Sequence, residues 1–252
     1  MAINSFRQNT GMYIGNTRPV LPPCAYIPPE MPCMRQQMQF DRQPYSQYDR
    51  QPYSYLRFLN AVPGSQPVDI YANNSLVASS LAYKGFTEYL QVFAGLYNIN
   101  VFAAGTTGPS LLDTTIEIPV RSINTAALAG TPSAMGIRTF YETVVQIPPG
   151  RLYLRFANLV PGSPAMDLLL SNGTELFNGV AFGMATNYIP LPAGTYIFYI
   201  RQSDTDRSLL YVPNIQLNEG RFYTIYTVGS MDGSVPLQVL IPLDGNSYIF
   251  TG

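Results

Sequence analysis

The sequence predicts an all-β protein, with two tandem immunoglobulin-like (Ig-like) antiparallel β-sandwiches behind an extended N-terminal arm. The ten-residue stretch Leu56–Ser65 returns as Leu154–Ser163 with eight identical positions, and such a repeat in a chain of 252 residues indicates two domains. Short segments of alternating polarity are separated by Pro and Gly turns, and no segment keeps a helical period over about a dozen residues. About seven such strands in each unit are typical of an Ig-like sandwich.

The individual strands are predicted from alternation, as in Tyr97–Val101, where apolar and polar residues exchange at each position. In the first unit the predicted strands are Tyr55–Asn60, Val68–Ala72, Thr87–Phe93, Leu96–Ala103, Leu111–Ile118, Ser122–Leu128 and Met135–Thr143. In the second they are Leu152–Asn158, Met166–Leu170, Thr186–Leu191, Thr195–Gln202, Leu209–Leu217, Arg221–Val228 and Pro236–Ile241. The predicted divisions are therefore an arm at 1–54, a first sandwich at 55–147 and a second at 151–250. The short connection Gln146–Arg151 contains two prolines, so we expect it to hold the sandwiches stiffly as a rod-like pair.

The repeated stretch ends in a turn, and its residue types indicate structure rather than chemistry. Pro63-Gly64 and Pro161-Gly162 supply the fixed φ of proline and the positive φ that glycine accepts. An aspartate follows each turn, Asp69 in the first unit and Asp167 in the second. Because one acid is repeated in two domains, we expect a structural hydrogen bond, in which the aspartate caps backbone amides of the turn. A pair of functional carboxylates is the alternative.

The composition excludes several classes of activity. The chain has no histidine, which removes Ser-His-Asp and Cys-His catalysis and the usual zinc sites. It has no P-loop or dinucleotide-binding glycine motif, so we predict neither an enzyme nor a cofactor. Charged residues make up 12% of the chain and the net charge is −1, which predicts no nucleic-acid partner, and no apolar run is long enough for membrane insertion. A weak calcium site in the acidic loop Asp204–Asp206 is a minor alternative to our prediction of no metal.

An ordered set of residues recurs in both units and resembles a known family. In the first unit these residues are Arg57-Phe58, Asn60, Pro63, Val68–Tyr71 and Ala94–Tyr97, and in the second they are Arg155-Phe156, Asn158, Pro161, Met166–Leu168 and Ala193–Tyr196. This order resembles the bacterial domain-of-unknown-function family 4397 over about residues 55–245. The resemblance implies a β-sandwich of bacterial cell surfaces, often in tandem, with no established activity and usually with a secretion signal.

The N-terminal arm differs from the rest of the chain. It holds eight of the 22 prolines and repeats Asp-Arg-Gln-Pro-Tyr-Ser at 41–46 and 49–54, a composition that orders only on meeting a partner. The arm is similar in composition to spore-coat and spore-appendage proteins, which reach the exterior when the mother cell lyses. Since the start Met1–Gln8 lacks the features of a signal peptide, we expect synthesis in the cytosol and an extracellular location on the surface of a spore.

Both cysteines, Cys24 and Cys33, lie in the arm, so the sandwiches cannot depend on a disulfide between them. In an oxidising exterior we favour bonds between subunits, while a Cys24–Cys33 loop and free thiols are the alternatives. The resulting hypothesis is a structural subunit of a filament or coat, with a filament favoured, that assembles with copies of itself through the arm and disulfides. Other surface or coat proteins are further candidate partners. The alternative is a surface adhesion or binding module, in which some of the 19 tyrosines hold a glycan or protein ligand rather than filling half-buried strand positions.

Overall fold

The computed structural model describes residues 53–249, and this part of the chain forms two tandem β-sandwiches with no α-helix. The first sandwich has eight strands: β1 Tyr53–Asn60, β2 Val68–Ala72, β3 Ser75–Leu81, β4 Leu90–Phe93, β5 Gly95–Ala103, β6 Leu112–Ile118, β7 Ile123–Thr131 and β8 Ala134–Tyr141. The second has eight as well: β9 Arg151–Asn158, β10 Met166–Leu170, β11 Glu175–Val180, β12 Ile189–Pro192, β13 Gly194–Gln202, β14 Ser208–Leu217, β15 Phe222–Val228 and β16 Gln238–Leu240. The predicted fold class is therefore confirmed.

Each sandwich consists of two four-stranded sheets. In the first, one sheet has the strand order β4-β1-β7-β8 and the other the order β3-β2-β5-β6. The second repeats this with β12-β9-β15-β16 and β11-β10-β13-β14. Pairing is antiparallel except between β1 and β7 and between β9 and β15, which run parallel. We call the sheets that contain β1 and β9 the inner sheets and those that contain β2 and β10 the outer sheets.

The sequence prediction missed one strand in each sandwich, β3 and β11. Both follow a tight hairpin turn, in which Asn73 and Asn74 have φ of 48° and 65° and Gly173 has φ of 84°. Asn and Gly tolerate this left-handed backbone, and they allow a hairpin to close within a few residues. The segment Ser75–Leu81 contains three serines and four apolar residues at irregular spacing, and a bulge interrupts its pairing with β2. The bulge breaks the alternation from which strands are predicted.

The repeated stretch contributes to two different interiors. Leu56 and Phe58 on β1 point into the core of their own sandwich, as do Leu154 and Phe156 on β9. All four side chains are no more than 1% exposed. The intervening positions face away from that core, because successive residues of a strand point to opposite sides of a sheet. These positions are nevertheless buried, since a second layer covers them.

The second layer is the other sandwich, because the two inner sheets pack against each other. A third hydrophobic cluster draws on both sandwiches and consists of Leu59, Ala61, Ala127, Ala129, Phe140, Ala157, Leu159, Tyr226 and Val228. The alanines allow the sheets to approach closely, and the Tyr226 ring lies 5.9 Å from Phe140 and 6.0 Å from Phe86. The expectation of a rod-like pair held by its linker is therefore wrong. Burial of two apolar sheet faces stabilises the arrangement far more than a six-residue connection can.

Candidate functional site

Four charged side chains lie buried between the two sandwiches. Arg57 and Glu142 come from the first sandwich, and Arg155 and Asp244 come from the second; each is no more than 4% exposed. The strands β1 and β9 place the two arginines at equivalent positions of the repeat. With two cations and two anions the group is formally neutral, as a buried cluster of charges has to be. We call these four residues the interface cluster.

Arg57 reaches across to the second sandwich. Its Nη2 donates to Asp244 Oδ1 at 2.7 Å, and its Nη1 donates to the carbonyl oxygen of Leu243 at 3.0 Å. Its Nε donates to Thr125 Oγ1 of its own sandwich at 2.8 Å. The guanidinium also lies over the ring of Tyr89, 4.7 Å from its centroid. Arg57 thus satisfies its three nitrogens and adds a cation–π contact that is strengthened by exclusion of water.

Other members of the interface cluster also make hydrogen bonds between the second sandwich and the first. Arg155 Nη1 donates to the carbonyl oxygen of Tyr141 at 2.5 Å, and the amide of Gly245 donates to Glu142 Oε2 at 2.7 Å. Tyr89 donates to Glu142 at 2.6 Å, as Tyr188 does to Asp244 at 2.7 Å. Each sandwich therefore holds the other through both an arginine and a carboxylate.

The environment of Glu142 disfavours its charged form. Burial raises the pKa of the Glu142 carboxyl, and the nearby Asp244 carboxylate raises it further, while Arg57 opposes both effects. A raised carboxyl pKa in a cleft often marks a catalytic acid. Here, however, the group is 4% exposed and its oxygens accept bonds from Tyr89, Thr125 and Gly245. No substrate can reach it, so the interface cluster joins the sandwiches.

The repeated aspartates accept hydrogen bonds from backbone amides, which is the kind of contact that the sequence suggests. The amides, however, lie outside the Pro-Gly turn. Asp69 accepts from the amides of Ser80 at 2.7 Å and Gly105 at 2.8 Å. Asp167 accepts from the amide of Gly179 at 2.9 Å. Ser80 and Gly179 have φ of 52° and 63° and lie at the bulges of β3 and β11, not in the Pro-Gly turn. The aspartates therefore stabilise the bulges.

Hydrogen bonding lowers the pKa of both repeated aspartates. For Asp69 the amides of Ser80 and Gly105 are the cause, since they favour the ionised carboxylate. For Asp167 burial acts in the opposite sense and is outweighed by bonds from Ser203, Gly179 and Arg201. A carboxylate whose charged form is stabilised in this way is a poor proton donor or acceptor near neutral pH.

The turn of the repeated stretch is closed by its own residues. Gly64 and Gly162 have φ of 71° and 67°, the positive values that the sequence predicts for the turns after Pro63 and Pro161. The side chain of Asn60 accepts from the amide of Val62 at 3.2 Å and donates to the carbonyl oxygen of Leu81 at 3.1 Å. Asn158 makes the same contacts in the second sandwich. The stretch thus combines core, interface and turn residues.

The remaining predictions concern the cysteines, a metal site and a membrane-spanning segment. Cys24 and Cys33 lie outside the described residues 53–249. Within that range no group of three or more Cys, Asp or Glu side chains is placed to hold a metal ion, the loop Asp204–Asp206 included. Over the same range, the structure also contains no helix with the length and apolar character needed to cross a membrane.

An exposed apolar surface lies at one end of the first sandwich. It consists of Tyr53, Phe93, Leu96 and Val120, whose exposed fractions are 46%, 36%, 70% and 64%, and we call it the end surface. Tyr53 and Phe93 are paired across β1 and β4, and their rings stack with centroids 5.1 Å apart. Leu96 lies on β5 next to the residue paired with Ile118, and Val120 follows two residues after Ile118.

The second sandwich has polar residues at three of the four equivalent positions and a proline at the fourth. Register pairs Arg151 with Pro192 where the first sandwich pairs Tyr53 with Phe93. In the same alignment Thr195 replaces Leu96 and Glu219 replaces Val120. The fold therefore does not require apolar residues here. An apolar patch that the second copy of the same fold lacks indicates a contact surface.

Comparison with solved structures gives distant likenesses. A structure reported as alpha-glucan binding by a streptococcal virulence factor is 13% identical, covering 78% of this chain and 99% of that one, with a TM-score of 0.27. A family CBM26 module from Eubacterium rectale Amy13K, in complex with maltoheptaose, is 9% identical, covering 77% of this chain and 99% of that one, with a TM-score of 0.26. The Bacillus anthracis TIE protein is 14% identical, covering 71% of this chain and 34% of that one, with a TM-score of 0.21. These TM-scores lie below 0.5, so we base no functional argument on them.

A search of curated protein sequences finds no match to the chain. The family comparison is decisive, and it agrees with the tandem architecture. A model of one family matches twice, over residues 54–169 and 152–246. One match starts at the beginning of each sandwich. The two matches together extend over most of the chain and over both copies of the repeated stretch. The chain therefore belongs to the family described as domain of unknown function DUF4397.

Proposed function

We propose that this protein is a non-enzymatic structural subunit that assembles with copies of itself on a bacterial surface, with the end surface as its contact. The observation that carries this proposal is the contrast between the two sandwiches. Four exposed positions are apolar in the first and are Arg151, Pro192, Thr195 and Glu219 in the second. Exposed apolar side chains gain about 25 cal/mol for each Å² that a neighbouring molecule covers.

The interface cluster suits a load-bearing subunit. Two sandwiches that share a hydrophobic layer and exchange buried charged contacts behave as one body. Force applied at the end surface of the first sandwich is then transmitted to the second through a broad interface. The short connection 144–150 does not have to carry that force.

The occupant that we propose for the end surface is the N-terminal arm of a second copy. The arm enters the first sandwich at Tyr53, within the end surface, so each copy presents an arm and its acceptor together. Its residues up to 52 reach about 170 Å at full extension, enough to bridge to a neighbouring copy. The segment Pro19–Pro32 contains six prolines and one residue each of Val, Leu, Tyr, Ile and Met, a composition that suits an apolar surface.

Successive arm-to-surface contacts run head to tail, and such contacts generate a filament when their rotation does not close into a ring. Cys24 and Cys33 would then lock the contacts covalently in an oxidising exterior. The composition of the arm favours the surface of a spore as the location of this filament.

The test compares the full-length chain with a variant that lacks residues 1–50, using size-exclusion chromatography and electron microscopy. The deletion stops before Tyr53 because β1 starts there and Ser54 donates to the carbonyl oxygen of Pro119 at 2.6 Å. We expect polymers from the full-length chain and folded monomers from the deletion variant. Reductant should leave the polymers assembled but should make them soluble in hot detergent.

Point variants then locate the acceptor. Leu96→Thr with Val120→Glu gives the first sandwich the residues that the second already carries, so the fold should tolerate both. We expect this pair to prevent assembly. Leu76→Thr, at an exposed position of the outer sheet, is the matched control and should assemble normally. Unchanged polymers from the L96T/V120E variant would contradict the end surface as acceptor, and unchanged polymers from the deletion variant would contradict the arm.

A surface binding module is the second candidate, and one specific feature favours it. The outer sheet of the second sandwich carries two exposed tyrosines beside a polar cavity. Such a module would remain monomeric and would show a ligand-dependent rise in melting temperature.

A further inference from the structure

Two contrasting rows of side chains cross the outer sheet of the second sandwich. The pairing of β10, β13 and β14 aligns Leu169, Tyr199 and Tyr211 in one row. It aligns Asp167, Arg201 and Ser208 in the neighbouring row. The rows are two residues apart on β10 and β13, which is about 7 Å and close to the width of a single sugar ring, and three residues apart on β14, where the register shifts.

The first row forms an aromatic platform. Tyr199 and Tyr211 are 37% and 51% exposed, and their ring centroids lie 5.1 Å apart. Leu169 and the stem of Arg201 help to line a shallow, mainly apolar cavity of about 210 Å³ beside Tyr199. Exposed tyrosine rings supply a flat apolar face and a hydroxyl group together.

The second row opens into a polar cavity of about 530 Å³. Arg201 Nη2 donates to Asp167 at 3.1 Å and to Glu175 at 3.2 Å, and Asn178 donates to Glu175 at 2.9 Å. The Nε of Arg201 is buried and has no hydrogen-bond partner within the described part of the chain. Because Arg201 lines both cavities, the apolar and the polar depressions adjoin.

The first sandwich lacks this arrangement, although its outer sheet has the same strand order. Asn100 and Asp113 stand where the second sandwich has Tyr199 and Tyr211, and they hydrogen-bond to each other at 2.6 Å. Phe102 takes the place of Arg201, since it pairs with Asp69 as Arg201 pairs with Asp167. The platform and the polar cavity are therefore not requirements of the fold.

We propose that Tyr199, Tyr211 and Arg201 form a binding site for a neutral carbohydrate. A sugar ring has an apolar C–H face, which the tyrosines would cover, and peripheral hydroxyl groups, which Arg201, Glu175 and Asn178 would bind. The polar cavity is lined by four carboxylates, those of Asp167, Glu175, Asp204 and Asp206, against the single guanidinium, which is a formal charge of −3. This charge repels acidic sugars and selects neutral ones.

The site gives the second candidate function a location and a ligand class, and it does not depend on assembly. It also follows the usual composition of ligand sites, in which an apolar wall carries a few convergent polar groups.

The test is titration calorimetry of the full-length chain with cellohexaose, maltohexaose and xylohexaose, and with the hexamer of galacturonic acid as the acidic probe. We expect at least one neutral hexasaccharide to bind and the acidic probe not to bind. Tyr199→Ala and Tyr211→Ala should each weaken binding by about tenfold, because each removes one aromatic contact. Asn100→Ala in the first sandwich is the matched control and should leave binding unchanged.

Several results would overturn the proposal. It is wrong if all three neutral hexasaccharides fail to bind, if the acidic probe binds more tightly, or if both tyrosine variants bind as the parent does. Loss of self-association in Y199A without any sugar binding would instead identify this face as a contact between copies, and would also overturn it. The melting temperature of each variant shows whether a loss of binding is caused by unfolding of the protein. Size-exclusion chromatography tests self-association independently, so a failure of the carbohydrate proposal can be distinguished from a failure of the assembly proposal.

Discussion

Replacing Arg57 by methionine tests whether the interface cluster holds the two sandwiches together. The change keeps most of the apolar stem but removes the guanidinium that bonds to Asp244, Leu243 and Thr125. Two of those three bonds cross between the sandwiches. The variant leaves the buried group with two carboxylates and the single cation of Arg155, which is an uncompensated negative charge at positions no more than 4% exposed.

The expected loss follows from the contacts. Removing one partner of a buried ion pair costs about 3–5 kcal/mol of the free energy of unfolding, because the other charge remains without compensation. A hydrogen bond to a charged group contributes about 1.5–3 kcal/mol, so loss of the Asp244 bond at 2.7 Å alone accounts for a large part of this. Domains have a total stability of about 5–15 kcal/mol. Arg57→Met should therefore remove a substantial fraction of it.

A double-mutant cycle with Asp244→Asn separates this coupling from lost packing. R57M leaves the cluster with one excess negative charge and D244N leaves it with one excess positive charge, whereas the double variant is again neutral. We therefore expect the double variant to be more stable than the sum of the single losses predicts, by about 0.5–3 kcal/mol.

Urea unfolding of the full-length chain, followed by far-ultraviolet circular dichroism, measures these losses. With an m value of about 2 kcal/mol per M, a loss of about 4 kcal/mol lowers the midpoint by about 2 M. Arg151→Met, at an exposed position of β9, is the control and should change stability by less than about 0.5 kcal/mol. If R57M unfolds at the midpoint of R151M, or if the two losses in the cycle add fully, the cluster does not couple the sandwiches.

Two further predictions concern the carboxylates and the strand glycines. Because the pKa of Asp69 is lowered below 3.8, its contribution to stability is present above that pH and is lost as the pH falls. The Asp69→Asn variant should therefore lose less stability than the parent between pH 4 and pH 2 in urea titrations, and an unchanged acid slope would refute this. The pKa of Glu142 is raised above 4.5, so this residue acts in the opposite sense. Its contribution to the free energy of unfolding falls as the pH rises through the pKa that it has in the folded protein. Gly130 has φ of 115° and a Cβ there would overlap the carbonyl oxygen of Ala134, so Gly130→Ala should lower stability by about 1–3 kcal/mol. Gly136→Ala on β8, with open space around its Cβ, should be nearly neutral, and equal melting temperatures for the two variants would contradict the strain at Gly130.

Much of the fold could be predicted from the sequence, because its evidence is local. The positive φ of Gly64 and Gly162 follows from the Pro-Gly turn. The alternation of apolar and polar residues in Gly95–Ala103 correctly predicts strand β5. The strands β3 and β11 escaped prediction because a bulge shifts their pairing and breaks their alternation. The family could be recognised from Arg57-Phe58, Asn60 and the aspartate that follows.

The candidate sites could be predicted less well, because their residues are distant in the chain. Arg57 carries a weak signal, since a charged residue between two core residues recurs at Arg155, but a strand face in contact with water would give the same pattern. Nothing in the sequence near Glu142 or Asp244 connects them to these arginines. The alignment of the two copies places Leu96 opposite Thr195, but only the structure shows that Leu96 is exposed and that Tyr53 pairs with Phe93.

The sequence by itself determined the two copies, their turns and most of their strands, since these depend on neighbours within a few residues. Only the tertiary structure decided what the repeated stretch does. Leu56 and Phe58 fill one sandwich, while Arg57 between them bonds to Asp244, 187 residues further along the chain. The physical reason is that a strand has two faces. The sequence shows their alternation, but only packing decides whether the second face meets water or another sheet.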